Sequence, residues 1–236
     1  MMRFNNQLPL IGTEGQQKLK EAKVAVVGLG GLGSSALYYL VAAGVGTIGI
    51  FDNDRVQLSN LNRQILHDEE DIGKLKVESA KDKIRQFNSE IIINAFPILL
   101  TESNCLGYLE NYSIIVSCVD NKKTRSLLTK AALNLNIPVV EGGVNRFSGF
   151  QLTTKRGYAC IGCIWQTETN EKPTEILGVT PAVIGSLEAT QTIKIILGNE
   201  EGLFGSLITM DLLKMEFNNL KVPRDPNCPI CGNFYN

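Results

Sequence analysis

Short runs of β-branched and aliphatic residues alternate with longer stretches in which apolar positions return every three or four residues, the pattern of strands alternating with helices. Lys23-Val-Ala-Val-Val-Gly28 is too short and too β-rich for a helix and reads as a buried first strand. Gly30 to Ala43 carries small and apolar residues that predict a helix packed on the sheet, and Gly46-Thr-Ile-Gly-Ile-Phe-Asp52 predicts a second strand. An amphipathic stretch from Lys76 to Phe87 precedes a third strand at Ile91 to Phe96, and Ser113-Ile-Ile-Val-Ser-Cys118 gives a fourth. A further helix, Lys122 to Leu135, leads to Ile137-Pro-Val-Val-Glu141. Strands separated by crossovers of this length imply an α/β fold: a doubly wound, Rossmann-like, mostly parallel sheet. Such sheets bind ligands beyond the carboxyl ends of their strands, here Gly28, Asp52 and Asp120.

After Glu141 the pattern changes. Gly142-Gly143 is followed by strand-like Phe147 to Thr154, helical spacing returns from Pro181 to Leu197, and Leu203 to Leu213 with Met215 to Val222 predicts a hairpin. A C-terminal antiparallel extension is therefore expected. Residues 166–180 are polar, contain Pro173 and are expected to form a mobile loop. The 236 residues fit a single domain, with 1–141 as a nucleotide-binding core and 142–236 as a smaller C-terminal part.

Composition narrows the classes. Hydrophobic residues make up 44% and charged residues 20%, as in an ordinary globular chain, and 23 Lys plus Arg against 24 Asp plus Glu leave a net charge of −1. That balance argues against nucleic acid as the main partner. No apolar window is long enough for a membrane span, and Met1 to Gln7 holds no apolar secretion core, so a soluble cytoplasmic protein with reduced thiols is expected.

The candidate chemistry begins at Gly28-Leu-Gly30-Gly31-Leu-Gly33, a G-x-G-x-x-G loop directly after a strand and at the mouth of a helix. Its backbone N–H groups and the helix N-terminus suit a phosphate. Asp52 follows Gly28 by 24 positions and ends the second strand, where a carboxylate accepts ribose hydroxyls. These features alone serve any adenine nucleotide. Arg63 and Lys76 distinguish a triphosphate from a dinucleotide, because a triphosphate carries about four negative charges that cations must offset before phosphorus is attacked. Asp120, just past an apolar strand, is placed to hold Mg²⁺. The sole histidine, His67, reads as a loop-packing imidazole.

Of six cysteines, four form two C-x-x-C pairs, Cys160-Ile-Gly-Cys163 and Cys228-Pro-Ile-Cys231. Two such clips supply four thiolates for a tetrahedral, structural Zn²⁺. Redox dithiols are the competing reading, and neither pair opens a helix after a strand as such a motif would. Cys105 and Cys118 stand alone and read as buried packing thiols.

Taken together, the glycine loop, Asp52-Asn-Asp54, Ser59-Asn60-Leu-Asn-Arg63-Gln64, Lys76-Val-Glu-Ser-Ala80, Cys118-Val-Asp120-Asn121 and both cysteine pairs resemble the ThiF/MoeB/HesA family, relatives of ubiquitin-activating enzymes. The resemblance spans nearly the whole chain. It implies adenylation of a carboxylate by ATP with release of pyrophosphate, commonly at the C-terminal glycine of a ubiquitin-like sulfur carrier. It also implies that Gly28, Gly30, Gly31, Gly33, Asp52, Asp54 and Asn121 belong to the nucleotide site, that Asn60, Arg63, Gln64 and Lys76 surround the phosphates, and that Asp120 positions Mg²⁺. Arg63, Lys76 and Asp120 are the expected catalytic residues, in a homodimer.

Two departures from the family pattern carry consequences. An arginine that reaches the partner subunit's ATP is replaced by Asn6, with Arg3 nearby. The cysteine that forms a thioester or persulfide is missing from 166–180, where Thr174 stands close to its place, so adenylation without a covalent enzyme–substrate thioester is expected. The alternatives are the same chemistry on a small-molecule or short-peptide carboxylate, and a nucleotide-binding regulator without catalysis.

Overall fold

The computed structural model describes residues 2–165 and 175–234. Eight strands form one sheet: β1 (Lys23–Val27), β2 (Thr47–Phe51), β3 (Ile92–Phe96), β4 (Ile114–Ser117), β5 (Val139–Asn145), β6 (Ser148–Thr154), β7 (Ser206–Asp211) and β8 (Glu216–Lys221). Their order is β3-β2-β1-β4-β5-β6-β7-β8. The first five are parallel, with Val26 of β1 paired to Ile50 of β2 and Val116 of β4, and every later pairing is antiparallel. The α/β sheet with its antiparallel extension is thus as the hydrophobic pattern expects.

The helices are α1 (Leu8–Glu21), α2 (Gly31–Ala43), α3 (Lys76–Phe87), α4 (Cys105–Leu109), α5 (Lys122–Leu135), α6 (Ile161–Ile164) and α7 (Val179–Leu197). One apolar layer joins Val24, Val26, Ile48 and Ile50 to α2, α3 and α7; the other sets Ala25, Phe51 and Ile115 against α4 and α5. A third cluster gathers Leu133, Leu152 and Ile230 around the paired cysteines. No helix among the described residues is long and apolar enough to cross a membrane.

Three local features differ from the pattern. Helix α1 is absent from the sequence expectation: half of its residues are polar, and Gly12, at φ 70°, breaks the helical run that its periodicity would have shown. Leu19 is its buried anchor. Strand β5 runs through Gly142 and Gly143 rather than stopping at Glu141. A Cβ at Gly142 would lie 2.5 Å from Ile184 and one at Gly143 2.3 Å from Phe150, so the glycines let α7 and β6 press onto the strand. Helix α7 starts at Val179, with Pro181 in its first turn, where a missing N–H costs nothing. Most of the expected loop, including Pro173 and Thr174, lies outside the described residues.

Candidate functional site

The chain leaves β1 at Gly28, whose φ of 93° favours glycine, and whose Cβ would lie 2.7 Å from the Cys118 carbonyl at the end of β4. Close approach of the two strand ends therefore brings Val119 and Asp120 beside the loop. At Gly33 a Cβ would fall 2.0 Å from the Gly28 carbonyl, so the first turn of α2 can sit against the loop only as glycine. Gly30 is the N-cap of α2 and Gly31 its first residue. A Cβ placed on Gly30 would meet a single neighbour among the described residues, the Gln64 amide at 3.8 Å, so the loop is open on that side.

Asp52, at the carboxyl end of β2, accepts the Leu29 N–H at 2.8 Å through Oδ2 and the Asp54 N–H at 2.8 Å through Oδ1. Each oxygen keeps a second lone pair for a ribose hydroxyl. Lys76 opens α3 with its side chain only 7% exposed and its Nζ 2.9 Å from Asp54 Oδ2. The turn Asn60–Gln64 packs across the loop: the Arg63 carbonyl lies 3.4 Å from a Cβ placed on Gly31. Within that turn the Asn60 carboxamide accepts the Gln57 N–H, and Arg63 Nη1 donates to the Ser59 carbonyl and Asn62 Oδ1. Gln64 is buried, and its Oε1 meets no donor among the described residues. That orphaned acceptor beside an open glycine loop fits a bound polar ligand.

Buried His67 holds the turn from beneath: Nδ1 lies 2.8 Å from Ser79 Oγ on α3 and Nε2 3.3 Å from the Leu29 carbonyl. Burial pushes the imidazole's pKa down from its ordinary value, with the neighbouring Lys76 acting in the same direction. Asp120 is exposed and accepts from the Asn121 amide at 3.4 Å. Asn121 itself caps α5 by accepting the Thr124 N–H at 2.9 Å.

Sequence reading missed a buried charge cluster at the ends of β4 and β5. Arg125 donates to the Gly142 carbonyl and, at 2.7 Å, to the Val119 carbonyl, tying the segment before Asp120 to β5. Glu141 and Glu188 stand beside it in full burial, and Cys118 Sγ lies 3.4 Å from Glu188 Oε2. Burial raises Glu141 to about 7 and Glu188 to about 8 despite the guanidinium. The available signal was Glu188, the one acidic residue in the helix-patterned Pro181–Leu197 stretch.

The four paired cysteines meet at the far end of the sheet. Their sulfurs all lie within 4.8 Å of one another, with Cys160 to Cys228 at 3.6 Å and Cys163 to Cys231 at 3.5 Å, and none forms a disulfide. A ZnS₄ tetrahedron with bonds of about 2.3 Å has sulfur–sulfur edges of about 3.8 Å, so the donor set fits zinc. The N–H groups of Asp225, Ile230 and Cys231 point at these sulfurs at 3.5 Å, as thiolates require.

Comparison with known proteins agrees with this geometry. A family model described as the ThiF family matches residues 4–230. The sulfur carrier protein adenylyltransferase of Thermus thermophilus is 40% identical over 244 residues, covering 98% of this chain and 90% of that protein. The adenylyltransferase and sulfurtransferase MOCS3 of Anopheles gambiae is 43% identical over 98% of this chain, which spans 54% of its length, about half. Among solved structures, E. coli MccB with ATP superposes at a TM-score of 0.85 and 25% identity, covering 98% of this chain and 73% of that one.

Proposed function

This chain belongs to the ThiF family, and from that premise we propose that it transfers the adenylyl group of ATP to the C-terminal glycine carboxylate of a ubiquitin-like sulfur carrier, releasing pyrophosphate. The observation that carries the nucleotide half of this reading is the glycine-lined helix N-terminus, with Asp52 and Lys76 hydrogen-bonded into one frame around it. The carrier is inferred from the named activity of the T. thermophilus relative.

The substrate carboxylate attacks the α-phosphorus while the bond to pyrophosphate breaks on the opposite side. The protein needs no nucleophile for this step; it must hold the reactants in line and offset charge. In this reading the α2 N-terminus and glycine loop hold phosphate oxygens, and Asp52 binds the ribose. Lys76 leaves Asp54 to meet the phosphates, and Arg63 unfolds its fork from Ser59 toward the same oxygens. Asp120 would hold Mg²⁺, which supplies Lewis-acid stabilisation of the charge gathering on the leaving pyrophosphate. No cysteine lies between Cys163 and Cys228, so the product leaves as an acyl-adenylate rather than an enzyme thioester.

The reading extends to one Zn²⁺ held by Cys160, Cys163, Cys228 and Cys231, to a cytoplasmic location where those thiols stay reduced, and to a homodimer. Arg3 stacks over Phe87 of its own chain at 5.9 Å, so its engagement with a partner's ATP would require it to swing free. A short-peptide acceptor is the second reading, favoured by the likeness to MccB, which has been solved with MccA as well as with ATP.

ATP–pyrophosphate exchange with Mg²⁺ separates the two readings. Carriers ending in Gly-Gly are expected to drive exchange, and short peptides or small carboxylic acids are not. Exchange with the peptides alone would transfer the protein to the second reading.

A further inference from the structure

The hydrogen bonds around the glycine loop close on themselves. The Leu29 N–H is held by Asp52, the other Asp52 oxygen takes the Asp54 N–H, and Asp54 takes the Lys76 ammonium. Lys76 and Ser79 share the first turn of α3, Ser79 meets His67, and His67 returns to the carbonyl of Leu29. Leu29 is thereby gripped at both ends of its backbone, its N–H by a carboxylate and its carbonyl by an imidazole. His67 is also the only link in this circuit that belongs to the Asn60–His67 segment, through its N–H to the Gln64 carbonyl at 3.0 Å.

The tautomer follows from the partners. A backbone carbonyl can only accept, so Nε2 carries the proton; in the neutral ring Nδ1 then takes the Ser79 hydroxyl, for which the Asp71 carboxylate competes. Charged groups on three sides face this ring: Lys76 on α3, Asp52 at the end of β2 and Asp71 in the segment leading to α3. Asp71 is paired with Lys74 at 2.9 Å and Lys83 at 3.4 Å, and its carboxylate also draws the Ser79 hydroxyl.

We propose that His67 is a positioning residue for ATP: its Nε2–H fixes the Leu29 carbonyl, which aims the neighbouring loop N–H groups at the phosphates. This rests on the adenylation reading for its chemistry but on ATP binding for its test. The carbonyl of Leu29 belongs to the same peptide unit as the Gly30 N–H, so rotating that unit moves both groups together. Left without its donor, the carbonyl is free to turn toward the phosphates, where its partial negative charge opposes them. A histidine that merely filled space would have no such effect on nucleotide affinity.

The two amide replacements separate these roles. Gln places an N–H near the position of Nε2, whereas Asn reaches only the position of Nδ1. His67→Gln is expected to bind Mg·ATP within about threefold of the parent by titration calorimetry. His67→Asn and His67→Leu are expected to weaken binding about tenfold, the scale of one lost hydrogen bond. In pyrophosphate exchange the loss should fall on KM for ATP and leave KM for the acceptor unchanged. Because His67 is the sole histidine, ¹⁵N-histidine NMR of the parent gives one imidazole, expected as the Nε2–H tautomer and shifted by ATP.

Equal affinities of the Gln and Asn variants would overturn the proposal, as would an Nδ1–H tautomer. Should His67→Leu fail to fold, the Gln and Asn pair still decides. A parent that binds ATP but exchanges with no acceptor would overturn the adenylation reading while leaving the affinity comparison decisive. A parent that binds no ATP would overturn both.

Discussion

Lys76 shows how a single residue can be legible in sequence and still hold a surprise in structure. Its charge and its place in Lys76-Val-Glu-Ser-Ala80 make it an expected phosphate ligand, yet its ammonium rests on Asp54, a carboxylate whose side chain is 65% exposed. Water at the Asp54 end holds the ion pair itself to about 1 kcal/mol, but the Lys76 side chain is 7% exposed and its buried methylenes add packing. Lys76→Met, which keeps that packing, is therefore expected to melt within a few degrees of the parent and to lose at least about a hundredfold in kcat/KM for exchange, the scale of one lost charge contact in a transition state. Exchange at the parental rate would remove Lys76 from the phosphate site. The glycines were legible for a different reason: at Gly28 and Gly33 backbone atoms leave no room for any side chain, and only one residue type satisfies that. The pairing of Glu188 was not legible, because its partner Cys118 lies 70 positions away. Nothing local in sequence records such a pairing.

At the scale of elements, the parallel strands and their crossovers could be read directly because buried strands are uniformly apolar. Helix α1 could not, since tertiary packing of Leu19 compensates for a sequence broken at Gly12. The turn that carries Arg63 is likewise fixed from outside itself. A Cβ on Gly178, just ahead of α7, would lie 2.1 Å from the Asn62 carbonyl, so the helix start is seated against that turn. The cysteine clips join α6 to the C-terminal segment across partners 68 positions apart, a loop whose closure restrains the unfolded chain by about 4 kcal/mol on entropic grounds. Metal analysis of protein purified without chelator is expected to find one zinc per chain, and Cys228→Ser to lower both the zinc content and the melting temperature. Metal-free parent with an unchanged melting temperature would contradict the structural role.

For the whole molecule, the buried glutamates set the pH response. Glu141 and Glu188 hold protons in the folded state up to about 7 and 8, whereas in the unfolded chain they release them near 4.5. Their contribution to stability is complete below 4.5 and is lost as pH rises through those folded values. His67 acts in the opposite sense: its lowered pKa contributes above 6.5, and that contribution fades as pH falls. The melting temperature is therefore expected to drop between pH 4.5 and pH 8, and Glu188→Gln, neutral throughout, to flatten that drop. An equally steep fall in the variant would place the titrating group elsewhere.

Strand β8 ends the sheet with all six of its residues exposed, Phe217 and Leu220 among them. An open strand edge is a template on which another chain can crystallise its own backbone, and here the apolar side chains would reward the addition. Glu216 and Lys221 bracket the strand, and Lys214 precedes it, so a like edge approaching in parallel register sets like charge against like, whereas an antiparallel approach sets Glu216 beside Lys221. Lys221 is also tied inward, to the Phe204 carbonyl at 2.9 Å and over the Tyr158 ring, so the free edge is pinned to the body at its last residue and frays first from the Glu216 end.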